Sequence, residues 1–403
     1  MIPRKKILFI ANNCIGTGLS GGDRIFTEFI RAWSDVLDVV LLGSEEAGCM
    51  ASTRGIKEFR MLQSDGRNNS KNPYTISGMI SHVLGRTRKG IKALGRYSSD
   101  ISDCRTVYSV SDSYPDFLPA YILKKQNPSI RWIAGYYLFI PNPFDKESPY
   151  KGKNWLRGLM YWLLQTVSYR MVNNNADMVF VTSEPDVERF VTDRRDRSKV
   201  IVVQGGVDVT ESERYLASNR AGSEEKMYDA CFIGRLHYQK GILELIDIWD
   251  KVAQKKPGAK LAIIGDGQLD TEVREKIRVK RLDSCVSMLG FLDGTEKHEV
   301  FKKSRVMLHP AIYDSGGMAC AEGMAWKIPA VSFDLEALKT YYPKGMLKTP
   351  KFDIAMFADN VLRLLDDKAL YAKTAEDAHA LVLDVWDWKK RARRIFEQME
   401  AKQ

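Results

Sequence analysis

The sequence has no Cys-x-x-Cys pair, no Gly-Lys-Ser/Thr triplet, few histidines and no apolar run approaching the ~18 residues a membrane helix needs. Each absence closes a class. Without a long apolar run no membrane-spanning helix is expected. The start, Met-Ile-Pro-Arg-Lys-Lys followed by the short stretch Ile7 to Ala11, is too brief for a signal sequence, so a cytoplasmic start is expected. The six cysteines (Cys14, Cys49, Cys104, Cys231, Cys285 and Cys320) are scattered and form no Cys/His cluster. They read as structural thiols in a reducing compartment, not as a zinc site or a disulfide scaffold. The missing Gly-Lys-Ser/Thr argues against an ATPase loop, and a nicotinamide enzyme is not expected either.

What is present is a chain of 403 residues, 44% hydrophobic and 28% charged, long enough for two domains. The net charge of +10 is uneven. From Arg54 to Arg105 there are 11 basic and 4 acidic residues, a balance of 11 − 4 = +7. Leu84, Ile91 and Leu94 interleave there with Arg86, Arg88, Lys89, Lys92 and Arg96, as an interfacial helix requires, whereas Gly85, Gly90 and Gly95 weaken the helix. Two readings stand: a plain solvated face, or contact with an anionic membrane surface or a phosphorylated acceptor. The second would make a cytoplasmic protein peripheral at the inner face of the membrane.

Short apolar runs alternate with helix-length segments throughout. Strands are expected at Ile7 to Ala11, Val39 to Leu42, Thr106 to Val110, Trp132 to Ala134, Met178 to Thr182 and Val200 to Val203. The pattern restarts with Tyr228 to Ile233, Leu261 to Ile264, Val286 to Leu289, Val306 to His309 and Ala330 to Ser332. Such alternation predicts an α/β protein of two doubly wound parallel sheets with helices on both faces. The polar interval Val209 to Lys226 is the expected linker. Trp155 to Val172 reads as an amphipathic helix buried against the first sheet, and Trp386 to Met399 as a basic helix.

In such sheets ligands gather at the carboxyl ends of strands. Three loops are therefore of interest. The first, Gly16 to Arg24, includes Gly21 and Gly22 and opens a helix at Ile25. The second, Gly234-Arg235-Leu236-His237-Tyr238-Gln239-Lys240-Gly241, offers Arg235 as a bidentate donor and Lys240 as a point charge, a pair suited to a diphosphate. The third places Asp314 and Glu322 on either side of a glycine turn, Ser315-Gly316-Gly317-Met318. Its glycines allow close backbone approach to a ligand, and the helix that follows supplies N–H groups for an anion. Carboxylates repel phosphate, so they suit hydroxyl groups. A sugar nucleotide combines both.

These segments carry a family resemblance. Phe232-Ile233-Gly234-Arg235 with Gln239-Lys240-Gly241, then Ile263-Ile264-Gly265-Asp266-Gly267, then Leu289-Gly290-Phe291, and His309-Pro310 through Ala330 resemble the C-terminal domain of family 4 retaining glycosyltransferases (glycosyl transferases group 1). Gly21-Gly22-Asp23-Arg24 is similar to their N-terminal glycine loop. The resemblance implies a GT-B fold, two Rossmann-like doubly wound domains facing an interdomain cleft: residues 1–208 for the acceptor, 209–385 for the nucleotide-sugar, and a helix at 386–403 crossing back to the first domain. It implies that Arg235 and Lys240 neutralise the donor diphosphate and that Ser315 to Met318 add backbone donors. Glu322 matches the second glutamate of the family's Glu-x7-Glu motif, which holds the ribose hydroxyls. Asp314 stands where the first is expected, beside the transferred sugar and one methylene shorter. Gly234, Gly265, Asp266 and Gly267 would line the nucleotide pocket, with Leu289 and Gly290 near the base.

Two departures are visible. Trp326-Lys327 replaces the common Cys-Gly before Ile328-Pro329, and Trp132 to Leu138 has no histidine where many relatives carry one, leaving Tyr136 or Tyr137 for acceptor positioning, with core packing expected for at least one of them. The sequence also contains no Asp-x-Asp triplet. The expectation is a retaining, metal-independent transferase without a cofactor, moving a sugar from a nucleotide-diphosphate-sugar to a glycan or lipid-linked acceptor in cell-surface polysaccharide or glycolipid synthesis. The alternatives are a nucleotide-sugar epimerase of the same fold and a non-catalytic basic protein binding lipid or nucleic acid. No specific nucleic-acid module is recognisable.

Overall fold

A computed structural model describes residues 4–14, 21–66, 76–146, 148–203, 205–218, 225–314 and 316–401. The chain forms two compact units, residues 1–205 with 389–403, and residues 206–388. The boundary at Gly205 and Gly206 places the polar interval Val209 to Lys226 inside the second unit, where Thr210–Leu216 is a helix. The family-like tail is the helix Trp388–Glu400, grouped with the first unit from Lys389 onward.

The first unit is built on a seven-stranded parallel sheet. Its strands are β1 (Lys6–Ala11), β2 (Asp38–Ser44), β3 (Arg60–Asp65), β4 (Thr106–Ser109), β5 (Arg131–Gly135), β6 (Met178–Val181) and β7 (Val200–Val202), in the order β3-β2-β1-β4-β5-β6-β7. β1, β4 and β6 are almost wholly buried because the sheet is covered on both faces. Leu8 and Ile10 face one way, into a core shared with Ala93, Phe117 and Val172 from the helices Ile76–Arg96, Tyr114–Gln126 and Trp155–Asn175. Phe9 faces the other way, with its ring centroid 5.9 Å from that of Trp33 in the helix Gly21–Trp33. Trp33 also donates its indole N–H to the carbonyl of Ala392, 3.0 Å away, which fixes the C-terminal helix on that face.

The second unit carries a six-stranded parallel sheet: β8 (Tyr228–Ile233), β9 (Leu261–Ile264), β10 (Val286–Gly290), β11 (Ser304–His309), β12 (Ala330–Phe333) and β13 (Met346–Thr349), ordered β10-β9-β8-β11-β12-β13. Phe232, Ile263, Leu308 and Val331 meet Trp249, Val273 and Phe357 in its core. The chain runs outward from β8 through β9 to β10, then returns to the opposite side of β8 as β11. That reversal opens a crevice between the carboxyl ends of β8 and β11.

Two strands escaped the sequence reading, β3 and β13. Both are edge strands, and β3 has an alternating, half-exposed pattern (Arg60-Met61-Leu62-Gln63-Ser64-Asp65) where an edge needs no continuous apolar run. The glycines of the basic segment do not break its helix, which is continuous over Ile76–Arg96. Gly90 is required there: a Cβ would lie 2.9 Å from Asn12 Nδ2. Among the described residues no helix is long and apolar enough to cross a membrane.

Candidate functional site

The loops after β8 and β11 form the two walls of the crevice in the second unit. They are pinned together at Gly241, whose φ of 64° lies in the left-handed region and where a Cβ would sit 1.8 Å from the carbonyl oxygen of Pro310. Only glycine fits that contact. It brings Lys240, from the first loop, onto Asp314, from the second, with Nζ to Oδ2 at 2.6 Å.

Asp314 is saturated. Its Oδ1 accepts from the N–H groups of Gly316 at 3.2 Å and Gly317 at 3.0 Å, while His309 Nε2 lies 3.4 Å from Oδ2 without forming an aligned hydrogen bond. Its side chain is 9% exposed. Burial pushes the carboxyl up, but the Lys240 ammonium and His309 beside it outweigh burial and hold it well below the usual carboxylate range. The ionised form is therefore built into the turn. From behind, the buried Tyr342 donates its hydroxyl to the carbonyl of Gly317 at 2.7 Å and stacks on Trp386, with ring centroids 5.1 Å apart.

This geometry changes two expectations. Of the four residues expected to donate backbone N–H groups to a ligand, Gly316 and Gly317 direct theirs at Asp314. Ser315 lies outside the described residues. Met318 remains, with Ala319 beside it at the start of the helix Met318–Met324; among the described residues neither N–H meets an acceptor. Asp314 itself is an anchor for Lys240 and the turn, with its oxygens already committed. Arg235, Lys240 and Asp314 flank the β8 to β11 reversal.

Arg235 differs from Lys240. It is exposed, and among the described residues its guanidinium makes no ion pair or hydrogen bond. The five donors of that fork are thus available at the sheet edge. Gly234 and Gly265 join their loops, since a Cβ on Gly265 would lie 1.9 Å from the Gly234 carbonyl oxygen. Asp266 and Gly267 are exposed beyond it, the Asp266 carbonyl accepting from Leu236 N–H at 2.7 Å. Leu289 and Gly290 end β10, and the Gly290 carbonyl accepts from Gly265 N–H at 2.7 Å.

Glu322 sits on the helix Met318–Met324, where its Oε2 accepts from Lys297 Nζ at 2.8 Å. Lys297 is 7% exposed and also reaches Asp293 Oδ1 at 3.0 Å. Sequence reasoning did not single out Lys297 or Tyr342. Neither lies in a glycine-bearing loop, and no residue spacing marks them, because their roles arise from the packing of helices that meet only in the folded unit.

In the first unit the corresponding reversal lies between β1 and β4. There Asp116, fully buried, gathers the N–H groups of Asn12 at 2.6 Å and Asn13 at 3.0 Å on Oδ1, and the Ser111 hydroxyl at 2.5 Å on Oδ2. This rivet was not anticipated. Gly21 and Gly22 open the helix Gly21–Trp33 nearby in the chain; Gly16 to Ser20 lie outside the described residues. The run Gly16-Thr17-Gly18-Leu19-Ser20-Gly21 does have Gly-x-Gly-x-x-Gly spacing between a strand and a helix, a match the sequence reading passed over. Tyr136 is buried, its ring 4.7 Å from that of Phe139 and 5.0 Å from that of Phe190, so it belongs to the core. Tyr137 is half-buried and bonds the hydroxyl of Tyr108.

Residues 215–380 match the family described as glycosyl transferases group 1. Over 277 residues the chain is 21% identical to a glycogen synthase of Mycobacterium tuberculosis, covering 68% of this chain and 66% of that protein. It is 27% identical over 222 residues to the amylovoran biosynthesis glycosyltransferase AmsD of Erwinia amylovora, covering 53% of this chain and 61% of that one. The chain thus spans less than two thirds of the length of these curated relatives. Its structure is similar to that of Anabaena HepE crystallised with UDP-glucose, with a TM-score of 0.68 at 15% identity over 98% of this chain and 99% of that one. Sucrose-phosphate synthase from Thermosynechococcus elongatus gives a TM-score of 0.70 at 16% identity, over 99% of this chain and 100% of that one. The fold is GT-B: two parallel sheets, each flanked by helices.

Proposed function

We propose that this protein is a retaining, metal-independent glycosyltransferase of family 4 that moves a sugar from a nucleotide-diphosphate-sugar to a glycan or lipid-linked acceptor. The observation that carries the reading is the pair of cations at the β8 to β11 reversal, Lys240 held in place by buried Asp314 and Arg235 left unengaged at the edge. The family match over the same unit and the likeness to a structure crystallised with UDP-glucose support it.

The chemistry follows from the charges. As the bond from the anomeric carbon to the diphosphate oxygen breaks, negative charge grows on the leaving diphosphate and positive charge on the sugar. Arg235 supplies a forked donor to the diphosphate, and Lys240 supplies a second cation whose position is fixed before substrate arrives. The acceptor oxygen attacks on the face the diphosphate leaves, and its proton passes to a diphosphate oxygen. A separate histidine base is unnecessary. Asp314 acts as a positioning residue: its ionised carboxylate orients Lys240. Glu322, held by Lys297, is the group offered to the ribose hydroxyls.

Incubation of the protein with a panel of nucleotide-sugars tests the reading. Slow release of nucleoside diphosphate from one donor, accelerated by a glycan or lipid-linked acceptor and with the anomeric configuration retained in the product, is expected. An inverted product would reject the retaining mechanism, and interconversion of the sugar without release would indicate an epimerase.

A further inference from the structure

The helices Ile76–Arg96, Tyr114–Gln126 and Trp155–Asn175 lie side by side on one face of the first sheet, each packed on the next. Their outward surface has an unusual composition. The two longer helices contain no acidic residue, and the sole carboxylate of the middle one, Asp116, is buried. Among the described residues this layer therefore shows no exposed carboxylate of its own. It does show exposed bases: Arg88, Lys92 and Arg96 at four-residue spacing on the first helix, Lys125 on the second and Arg170 on the third.

The same surface exposes large apolar side chains. Ile80 and Leu84 precede Arg88 on the first helix at the same spacing, and Leu163 and Val167 precede Arg170 on the third. Leu156 is 58% exposed, and Phe144, in the segment leading into that helix, is 64% exposed. The ring of Phe144 lies 5.7 Å from that of Trp155 and 6.3 Å from that of Trp162, forming an aromatic cluster at the rim. The partitioning is ordered. All three helices follow parallel strands and so begin at the carboxyl edge of the sheet; on the first, Ile80 and Leu84 precede the exposed bases, and on the third Leu156, Leu163 and Val167 precede Arg170, with half-buried Arg157 beside Leu156.

We infer that this three-helix face docks on an anionic bilayer surface, its apolar and aromatic end entering the interface and its bases resting against anionic headgroups. Exposed apolar side chains interleaved with bases, aromatic residues at one end and no exposed carboxylate on the helices themselves are what an interfacial helix layer requires; Asp145, exposed beside Phe144, belongs to the segment before the third helix. A second copy of the chain is the less suited occupant, because the bases of this face would find no exposed carboxylate on the three helices of a partner copy. Part of the basic excess seen in the sequence is excluded from this role. Arg86 is buried against Glu46 at 2.8 Å, Lys89 pairs with Asp65 at 2.7 Å, and Arg60 pairs with Asp100.

The inference does not depend on the transferase reading, since vesicle binding is measured without any nucleotide-sugar. The full chain should co-sediment with mixed phosphatidylcholine–phosphatidylglycerol vesicles, bind pure phosphatidylcholine at least about tenfold more weakly, and lose affinity as salt is raised. Tryptophan fluorescence should shift to the blue on binding, and Trp155→Phe should diminish the shift. The double variants Leu156→Ser/Leu163→Ser and Arg88→Glu/Lys92→Glu should each weaken binding about tenfold or more while leaving the melting temperature unchanged, because all four side chains are exposed. Absence of binding to the anionic vesicles overturns the inference. So does binding that both variants leave intact, or a concentration-dependent dimer that Leu156→Ser/Leu163→Ser abolishes.

Discussion

Arg235 and Lys240 differ in their circumstances: among the described residues the first cation has no partner, whereas the second is held by a buried carboxylate. Replacing Arg235 should therefore separate function from folding. Arg235→Ala is expected to leave stability within about 0.5 kcal/mol of the parent, since an exposed side chain without a partner among the described residues is removed. It should lower kcat/KM for the donor by about 10²–10³-fold, the usual effect of losing one donor to a developing oxyanion. Parallel thermal melts and donor kinetics check both halves. Asp314→Asn should do the opposite first: it strips the counter-charge from Lys240 inside the crevice, and a loss of about 1–3 kcal/mol is expected, below the ~3–5 kcal/mol of a fully buried pair because the Lys240 side chain is 19% exposed. The pH dependence follows from the lowered carboxyl. A depressed folded-state pKa stabilises the protein above the unfolded value of about 3.9, and that contribution disappears as pH falls toward the folded value. The stability gap between the parent and Asp314→Asn should stay constant from neutral to mildly acid pH and close only under strongly acid conditions, as urea midpoints would show.

At the scale of elements, loops and strand order set the site. Gly241 joins the β8 and β11 loops by a contact that no side chain survives. Gly241→Ala should cost about 3 kcal/mol or more through the clash with Pro310 and the left-handed backbone, and should weaken donor binding by moving Lys240 off Asp314. Calorimetric unfolding and donor titration of the same variant measure the two effects; an unchanged melting temperature would contradict the pinned loop. Much of this level was legible in the sequence. The apolar strands of both sheets announce themselves because they are buried on both faces, and the loops at their ends follow from parallel order. β3 and β13 stayed hidden because edge strands need less apolar sequence. The Asp314 turn was visible as composition but not as wiring: no spacing shows that its carboxylate closes on Gly316, Gly317 and Lys240. Lys297 and Tyr342 were invisible for the same reason, being brought to the site by separate helices.

Across the whole molecule, two doubly wound units use their sheets alike. Each places a strand reversal at its centre, and each stabilises the loops there with a buried carboxylate, Asp116 in the first unit and Asp314 in the second. The difference is the cation. Asp116 gathers backbone and hydroxyl groups, which makes it structural, whereas Asp314 holds a lysine toward an edge that also carries an unengaged arginine. Among the described residues the second unit thus presents a pair of cations at its strand reversal. The most direct measurement is nucleoside diphosphate release from a donor panel by the full chain and by Arg235→Ala at matched stability. The account predicts release from a selected donor by the parent and a loss of about 10²–10³-fold in the variant. Release by neither protein from any donor, or equal release by both, would contradict it.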